Sequence, residues 1–158
     1  MHRFSVLIVV GSQTDVPVME ETQKTLEWFG VTNELMVASA HREPEKVRKL
    51  AGQARQKGIE VIIAGAAMAA HLAGVIASHT TIPVVGVPLA SEPFGALDSL
   101  LSTAQMPRGI PVATVSAGRT GAVNAALLAV EILSIRDETL ARKLAEYRGG
   151  FGSRSRET

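Results

Sequence analysis

Apolar residues follow two spacings along this chain, and the two alternate. Phe4 to Val10 (FSVLIVV) is a continuous, β-branched run, the pattern of a strand buried on both faces. Met19, Thr22, Leu26 and Phe29 then recur at helical spacing, with Pro17 in the first turn and Gly30 at the end. Glu34 to Ala38 reads as a second strand. Pro44 opens a second helix whose apolar face is Val47, Leu50, Ala51 and Ala54, closed by Gly58. Glu60 to Ala64 is a third strand, followed by a loop at Gly65 to Met68 and an Ala-rich helix to Ser78. Pro83 to Val87 is a fourth strand, Pro88 to Gly95 a longer loop, and Leu97 to Ala104 a short helix. Pro111 to Val115 is a fifth strand, with a polar loop at Ser116 to Gly121. Ala125, Leu128, Ala129 and Ile132 define a further helix, and Leu140, Leu144 and Tyr147 a last one from about Asp137. Five alternations of strand and helix predict an α/β, three-layer sandwich around a parallel sheet of five strands or slightly more. Its strand order is expected to be flavodoxin-like, which brings the loops after the first three strands together.

Charge refines this picture. The 158 residues carry a net charge of +1 and suit one domain, residues 1–147, with a disordered tail at 148–158 rich in Gly, Ser and Arg. Val61 to Ser91 contains no charged residue. The run is broken by His71, His79, Pro83 and Pro88, so it reads as strand, helix and strand rather than a membrane span. A helix at Ala69 to Ala77 without a polar face needs cover on both sides, and a second copy of the chain is the expected cover. Cysteine is absent, which removes disulfides and thiolate chemistry and suits the cytoplasm. The start of the chain lacks the layout of a signal peptide. Neither membrane nor nucleic-acid binding is expected; the Arg-rich tail has one aromatic, Phe151.

Two loops carry candidate chemistry. Ser39-Ala40-His41-Arg42-Glu43-Pro44 lies between the second strand and second helix, where ligands bind in open parallel sheets. His41 can exchange a proton near neutral pH, and Arg42 can hold a phosphate or carboxylate with its planar fork. Gly11-Ser12-Gln13-Thr14-Asp15 follows the first strand. Its N–H groups and the hydroxyls of Ser12 and Thr14 suit a phosphate, and Asp15 suits ribose hydroxyls. The same residues are also ordinary helix caps. The loop is neither a Walker loop nor GxGxxG. His71 in its apolar setting is either a core or interface residue or part of a site lining. The histidines are not spaced as metal ligands, and no metal site is expected.

These segments, taken together, resemble the PurE family of N5-carboxyaminoimidazole ribonucleotide mutases in purine biosynthesis. The likeness runs through Gly11–Asp15, Ser39–Pro44, Ala64-Gly65-Ala66 with Ala69-Ala70-His71-Leu72, and Gly86-Val87-Pro88. It continues through Leu97-Asp98-Ser99-Leu100 and Gln105 to Val112. The resemblance implies a flavodoxin-like homo-octamer with active sites at subunit junctions, a small ribonucleotide substrate and no cofactor. It implies transfer of a carboxyl group from the exocyclic nitrogen of an aminoimidazole ribonucleotide to ring carbon 4. It makes His41 the catalytic acid/base, and makes Ser12, Asp15 and Arg42 substrate-binding, with Ser39 and Thr14 helping at the phosphate. Gly65, Ala66, His71 and Leu72 would line the pocket.

The implied chemistry is self-consistent. Protonation and loss of the carbamate leave carbon dioxide beside a free amine; carbon 4 attacks it, and a base removes the ring proton. One histidine can give the first proton and take the second, a contribution of about 10²–10⁴-fold. A closed apolar pocket keeps the carbon dioxide in place. The chain departs from the family's usual pattern at Ala67-Met68 (Gly-Gly), Ala73 (Pro), Val16 (Trp) and Ala96 (Gly). A related class carboxylates the free amine directly and tends to have Lys in place of Arg42 and to lack the His71 motif. Arg42 and His71 therefore favour the mutase. The other rivals are that direct carboxylase and a non-catalytic nucleotide-binding domain.

Overall fold

The computed structural model describes residues 5–154. Five strands form one sheet: β1 (Val6–Val10), β2 (Asn33–Val37), β3 (Val61–Ala67), β4 (Val84–Leu89) and β5 (Ala113–Thr114). All pairings are parallel, and the order is β2-β1-β3-β4-β5. The register sets Ile8 between Leu35 and Ile63, and Ile63 beside Val85. Alternate residues of each strand serve opposite faces. On one face Val6, Ile8, Val10, Val61, Ile63, Val85 and Val87 pack with residues of α1 (Val16–Phe29) and α5 (Gly118–Ser134). On the other, Leu7, Val9, Ile62, Ala64 and Val84 pack with α2 (Pro44–Gln53) and α3 (Leu72–Ser78). This double burial explains the unbroken apolar runs. It makes a three-layer sandwich around a five-stranded sheet.

Helix α4 (Leu97–Ala104) joins the second face through Thr103. A Cβ at Gly86 would stand 2.4 Å from the Thr103 methyl, so only glycine lets α4 approach β4 this closely. Helix α6 (Glu138–Arg154) packs on the outer side, where Tyr147 meets Trp28 and Phe29.

Several boundaries differ from the expectation. Strand β3 runs on through Gly65 to Ala67, because β4 continues beside it and pairs Ala66 with Pro88 and Ala67 with Leu89. Pro88 is tolerated because the carbonyl of Gly86 faces β5, accepting from Val115 N at 3.1 Å. Pro88, two residues on, faces the same side beyond the end of β5, where no ladder bond needs its missing N–H. Strand β5 is two residues, not five. Helix α3 starts after His71 rather than at Ala69, since Ala70 N and His71 N donate two residues back, to Met68 O at 2.9 Å and Ala69 O at 2.8 Å, tight turns that are not helical. Helix α5 begins at Gly118, inside the expected polar loop.

The last helix does not stop at Tyr147 but continues to Arg154, through part of the stretch expected to be disordered. Arg148 forms an ion pair with Glu131 of α5, and extending a formed helix through Gly costs only about 1 kcal/mol per residue. Residues 155–158, like Phe4 of the first expected strand, lie outside the described residues.

The charge-free stretch from Val61 to Ser91 is β3, α3 and β4, in the middle of the sheet. Part of the cover expected from a second chain comes from this one. α3 packs in the same apolar cluster as Val47 and Ala51 of α2, and Met106 S would lie 3.0 Å from a Cβ at Gly74. Among the described residues no helix is long and apolar enough to cross a membrane.

Candidate active site

The carboxyl ends of β2, β1, β3 and β4, in that spatial order, surround a cavity of about 610 Å³. Gly11, Ser12, Thr14 and Asp15, then Ser39 to Arg42, Ala66 to Ala69 with His71 and Leu72, and Ala90-Ser91 supply its walls. The chain reverses direction in the sheet order between β1 and its two neighbours, the switch point where crossovers leave a crevice.

The hexapeptide turn is held by its own groups. Ser39 O accepts from Glu43 N at 2.8 Å, and the buried Ser39 Oγ accepts from Arg42 N at 3.3 Å. The Glu43 carboxylate accepts from Ser39 N and from Lys46 Nζ, which bonds Val37 O as well. The Lys46 hydrogen bond, then the Ser39 N–H, hold the Glu43 carboxyl below its ordinary value. Glu43 is thus spent on the turn, so Arg42 is not paired with it. The Arg42 guanidinium reaches back across the site and donates to Gly11 O at 3.0 Å. That uses one of the five N–H donors of a side chain that borders the cavity.

The first loop does cap a helix. Ser12 adopts extended backbone and its Oγ accepts from Thr14 N at 3.4 Å and from Thr14 Oγ1 at 3.0 Å, at the start of a single 3₁₀ turn over Gln13–Asp15. Asp15 precedes α1 without capping it through its side chain. Burial raises the Asp15 carboxyl above its ordinary 3.8, opposed in part by the Ser12 backbone N–H. A half-buried carboxylate with that penalty gains from hydroxyl donors.

His41 and His71 meet across the cavity. His41 Nε2 lies 2.8 Å from His71 Nδ1, with the rings edge to face at 81°. A contact this short between two ring nitrogens holds one proton: one N–H donates and the other nitrogen accepts. Both rings are exposed to the cavity. His71 therefore does more than line a wall. Its sequence signal was a lone polar residue in an apolar stretch, with nothing to name His41 as its partner.

Ala66 and Leu72 border the cavity, but Gly65 does not. It faces the opposite side of β3, where a Cβ would stand 2.8 Å from Met19 S. Its missing side chain makes room for α1. Met68, by contrast, borders the site with its backbone at φ 58°, the left-handed region that favours glycine. Ser91 is a lining residue that the sequence reading did not single out. Its loop lacks periodicity, and only the pairing of β4 with β3 brings it here. A wider hollow of about 1180 Å³, bordered by Arg55, His79, Thr80 and Ile110, does not include any of these groups. Among the described residues no three His, Cys, Asp or Glu side chains gather as a metal ion would require.

Residues 5–152 match the family described as AIR carboxylase. The N5-carboxyaminoimidazole ribonucleotide mutase of Pyrococcus abyssi is 57% identical over 141 residues, covering 89% of this chain and 80% of that protein. The enzyme of the same name from Bacillus subtilis is 52% identical over 141 residues, covering 89% and 87%. Among solved structures, Treponema denticola PurE superposes with a TM-score of 0.87 at 26% identity, covering 96% of this chain and 94% of that one.

Proposed function

This chain belongs to the AIR carboxylase family, and from that premise we propose that it is an isomerase of purine biosynthesis, converting N5-carboxyaminoimidazole ribonucleotide to 4-carboxy-5-aminoimidazole ribonucleotide. The observation that carries the reading is one cavity holding both a histidine pair at 2.8 Å and the Arg42 guanidinium beside the Ser12–Asp15 turn. A nucleotide needs both ends served: an anion site for its phosphate and a proton exchanger for its ring.

The residues divide the work by position. Arg42, Ser12 and Thr14 hold the phosphate, with Ser39 fixing the turn that aims Arg42. Asp15 accepts from the ribose hydroxyls, which offsets the burial of its carboxylate. His41 gives a proton to the carbamate nitrogen as carbon dioxide leaves. Carbon 4 of the ring then attacks the trapped carbon dioxide, and His41 removes the proton from that carbon. His71 accepts or donates at His41 Nε2 and so fixes its tautomer and ring plane. Ala66, Ala67 and Leu72 give the carbon dioxide an apolar wall and keep the reacting carbons in contact.

The single chain leaves an apolar face open beside this cavity. Phe94, Leu97 and Leu101 are 67%, 59% and 52% exposed on or before α4, and Met68, whose carbonyl accepts from Ser102 Oγ of α4 at 3.4 Å, is 60% exposed. Ser102 of α4 ties the two, through Ala70 N. Burial of such a patch favours association, and we assign it to contacts between copies in a homo-octamer. The cysteine-free composition suits a cytoplasmic enzyme.

An absorbance assay for the carboxylated product tests the reading. The protein is given either the N-carboxylated nucleotide or the free amine with bicarbonate. Turnover of the first is expected; turnover of the second alone would make it a direct carboxylase, and turnover of neither would leave only a binding domain. Light scattering at micromolar concentration tests assembly, with a mass eight times 16.7 kDa expected and a monomer contradicting it.

A further inference from the structure

Ser91 stands two residues past the end of β4, in a turn fixed by its own backbone. Ser91 N donates to Gly95 O at 2.7 Å. Its hydroxyl oxygen is buried and has no hydrogen-bond partner among the described residues. The neighbouring serines differ. Ser99 Oγ donates to Leu89 O at 2.7 Å, and Ser102 Oγ donates to Asp98 O at 2.9 Å. Thr114 Oγ1 shares the unpartnered condition but lies outside the cavity, whereas Ser91 borders it. A buried hydroxyl without a partner costs free energy in the folded chain. Such a group at a site wall is explained if a ligand satisfies it.

The sheet order says which part of the ligand that is. Arg42 and Ser39 follow β2, the Ser12–Asp15 turn follows β1, His71 follows β3 and Ser91 follows β4. Neighbouring strands lie about 4.8 Å apart, so β2 and β4 are separated by roughly 14 Å. With the phosphate held over β2 and β1, the heterocycle falls over β3 and β4. Ser91 therefore meets the ring end of the nucleotide, beyond the histidine pair. No hydrogen bond holds its Oγ inward, so rotation about χ1 to another staggered position breaks none.

We propose that Ser91 is a further substrate-binding residue: its hydroxyl turns into the cavity and donates to an oxygen of the carboxyl group on the ring. This rests on the ribonucleotide reading given above and adds a specific anchor for the group that migrates. The hydroxyl hydrogen-bonds that carboxyl group once it is attached to carbon 4, and it gives up no other hydrogen bond to do so.

The test is calorimetric binding of two nucleotides to the parent protein and to Ser91→Ala. The probes are 4-carboxy-5-aminoimidazole ribonucleotide and the uncarboxylated 5-aminoimidazole ribonucleotide. Ser91→Ala should weaken the carboxylated nucleotide about tenfold and the uncarboxylated one less than twofold. Because the hydroxyl has no partner in the chain, the variant should melt no lower than the parent. Equal weakening of both nucleotides, no weakening of either, or a lowered melting temperature matching the lost affinity would each overturn the assignment. Binding is read without turnover, so an inactive parent would count against the proposed reaction and leave this test standing.

Discussion

Replacing His71 by Ala separates the two histidines' roles. In the folded chain His71 touches His41 through one contact, Nδ1 to Nε2 at 2.8 Å. Removing it deletes one hydrogen bond on a ring that stays in place, since the hexapeptide turn is fixed by Ser39, Glu43 and Lys46 rather than by His71. Such a bond has a net worth of about 0.5–1.5 kcal/mol. At 1.36 kcal/mol per decade, kcat should fall roughly 2- to 13-fold. KM should change little, because Arg42, Ser12 and Asp15 still hold the nucleotide. His71→Gln keeps an amide that can reach the same nitrogen and should recover part of the loss. The assay is steady-state absorbance at saturating N-carboxylated nucleotide. A loss above about 100-fold would refute the assignment, for that is the scale of a missing acid/base and would make His71 the proton carrier. An unchanged kcat would refute it as well.

Asp15→Asn should stabilise the empty enzyme at neutral pH. Burial raises the carboxyl of Asp15 in the folded state, so charging it costs stability as pH rises through that raised value. The melting advantage of the variant should shrink as pH falls and vanish below the ordinary value of 3.8; a constant advantage across the range would contradict the burial cause. Met68→Gly removes a left-handed non-glycine backbone worth about 1 kcal/mol. It should raise the melting temperature of the dissociated chain by about 2–4 °C in a chain of this size, and a lower value there would show that the Met68 side chain stabilises its loop. Leu101→Asp, on the open face of α4, should give a smaller species by light scattering at micromolar concentration; an unchanged mass would put the assembly contact elsewhere.

The layers of the fold were legible because the physics is local. Val6 to Val10 is apolar without alternation because α1 and α5 cover one side and α2 and α3 the other. Met19, Leu26 and Phe29 recur at helical spacing because one face of α1 is buried. What was missed depends on pairing between distant segments. Gly65 to Ala67 looks like a loop in isolation, and becomes strand only because β4 lies beside it. Pro88 looks like a breaker until the short β5 leaves its side of β4 unpaired. The two site loops were legible as neighbours because both follow strands. The 2.8 Å meeting of His41 with His71 was not, since thirty residues separate them and only the pairing of β1 with both β2 and β3 closes the gap. Gly65 belongs to the expected apolar loop from Gly65 to Leu72 that would form the pocket wall, yet it lies in β3, where successive residues point to opposite faces.

The most direct measurement of the central claim is made on His41→Asn, which keeps a polar side chain of similar reach and removes the exchangeable imidazole. Binding of the ribonucleotide is followed by calorimetry and isomerisation by absorbance, on the same preparation. The variant should bind the nucleotide within a few-fold of the parent, through Arg42, Ser12 and Asp15, while kcat falls by about 10²–10⁴-fold. A variant that still isomerises its substrate near the parent rate would show that the proton moves through another group.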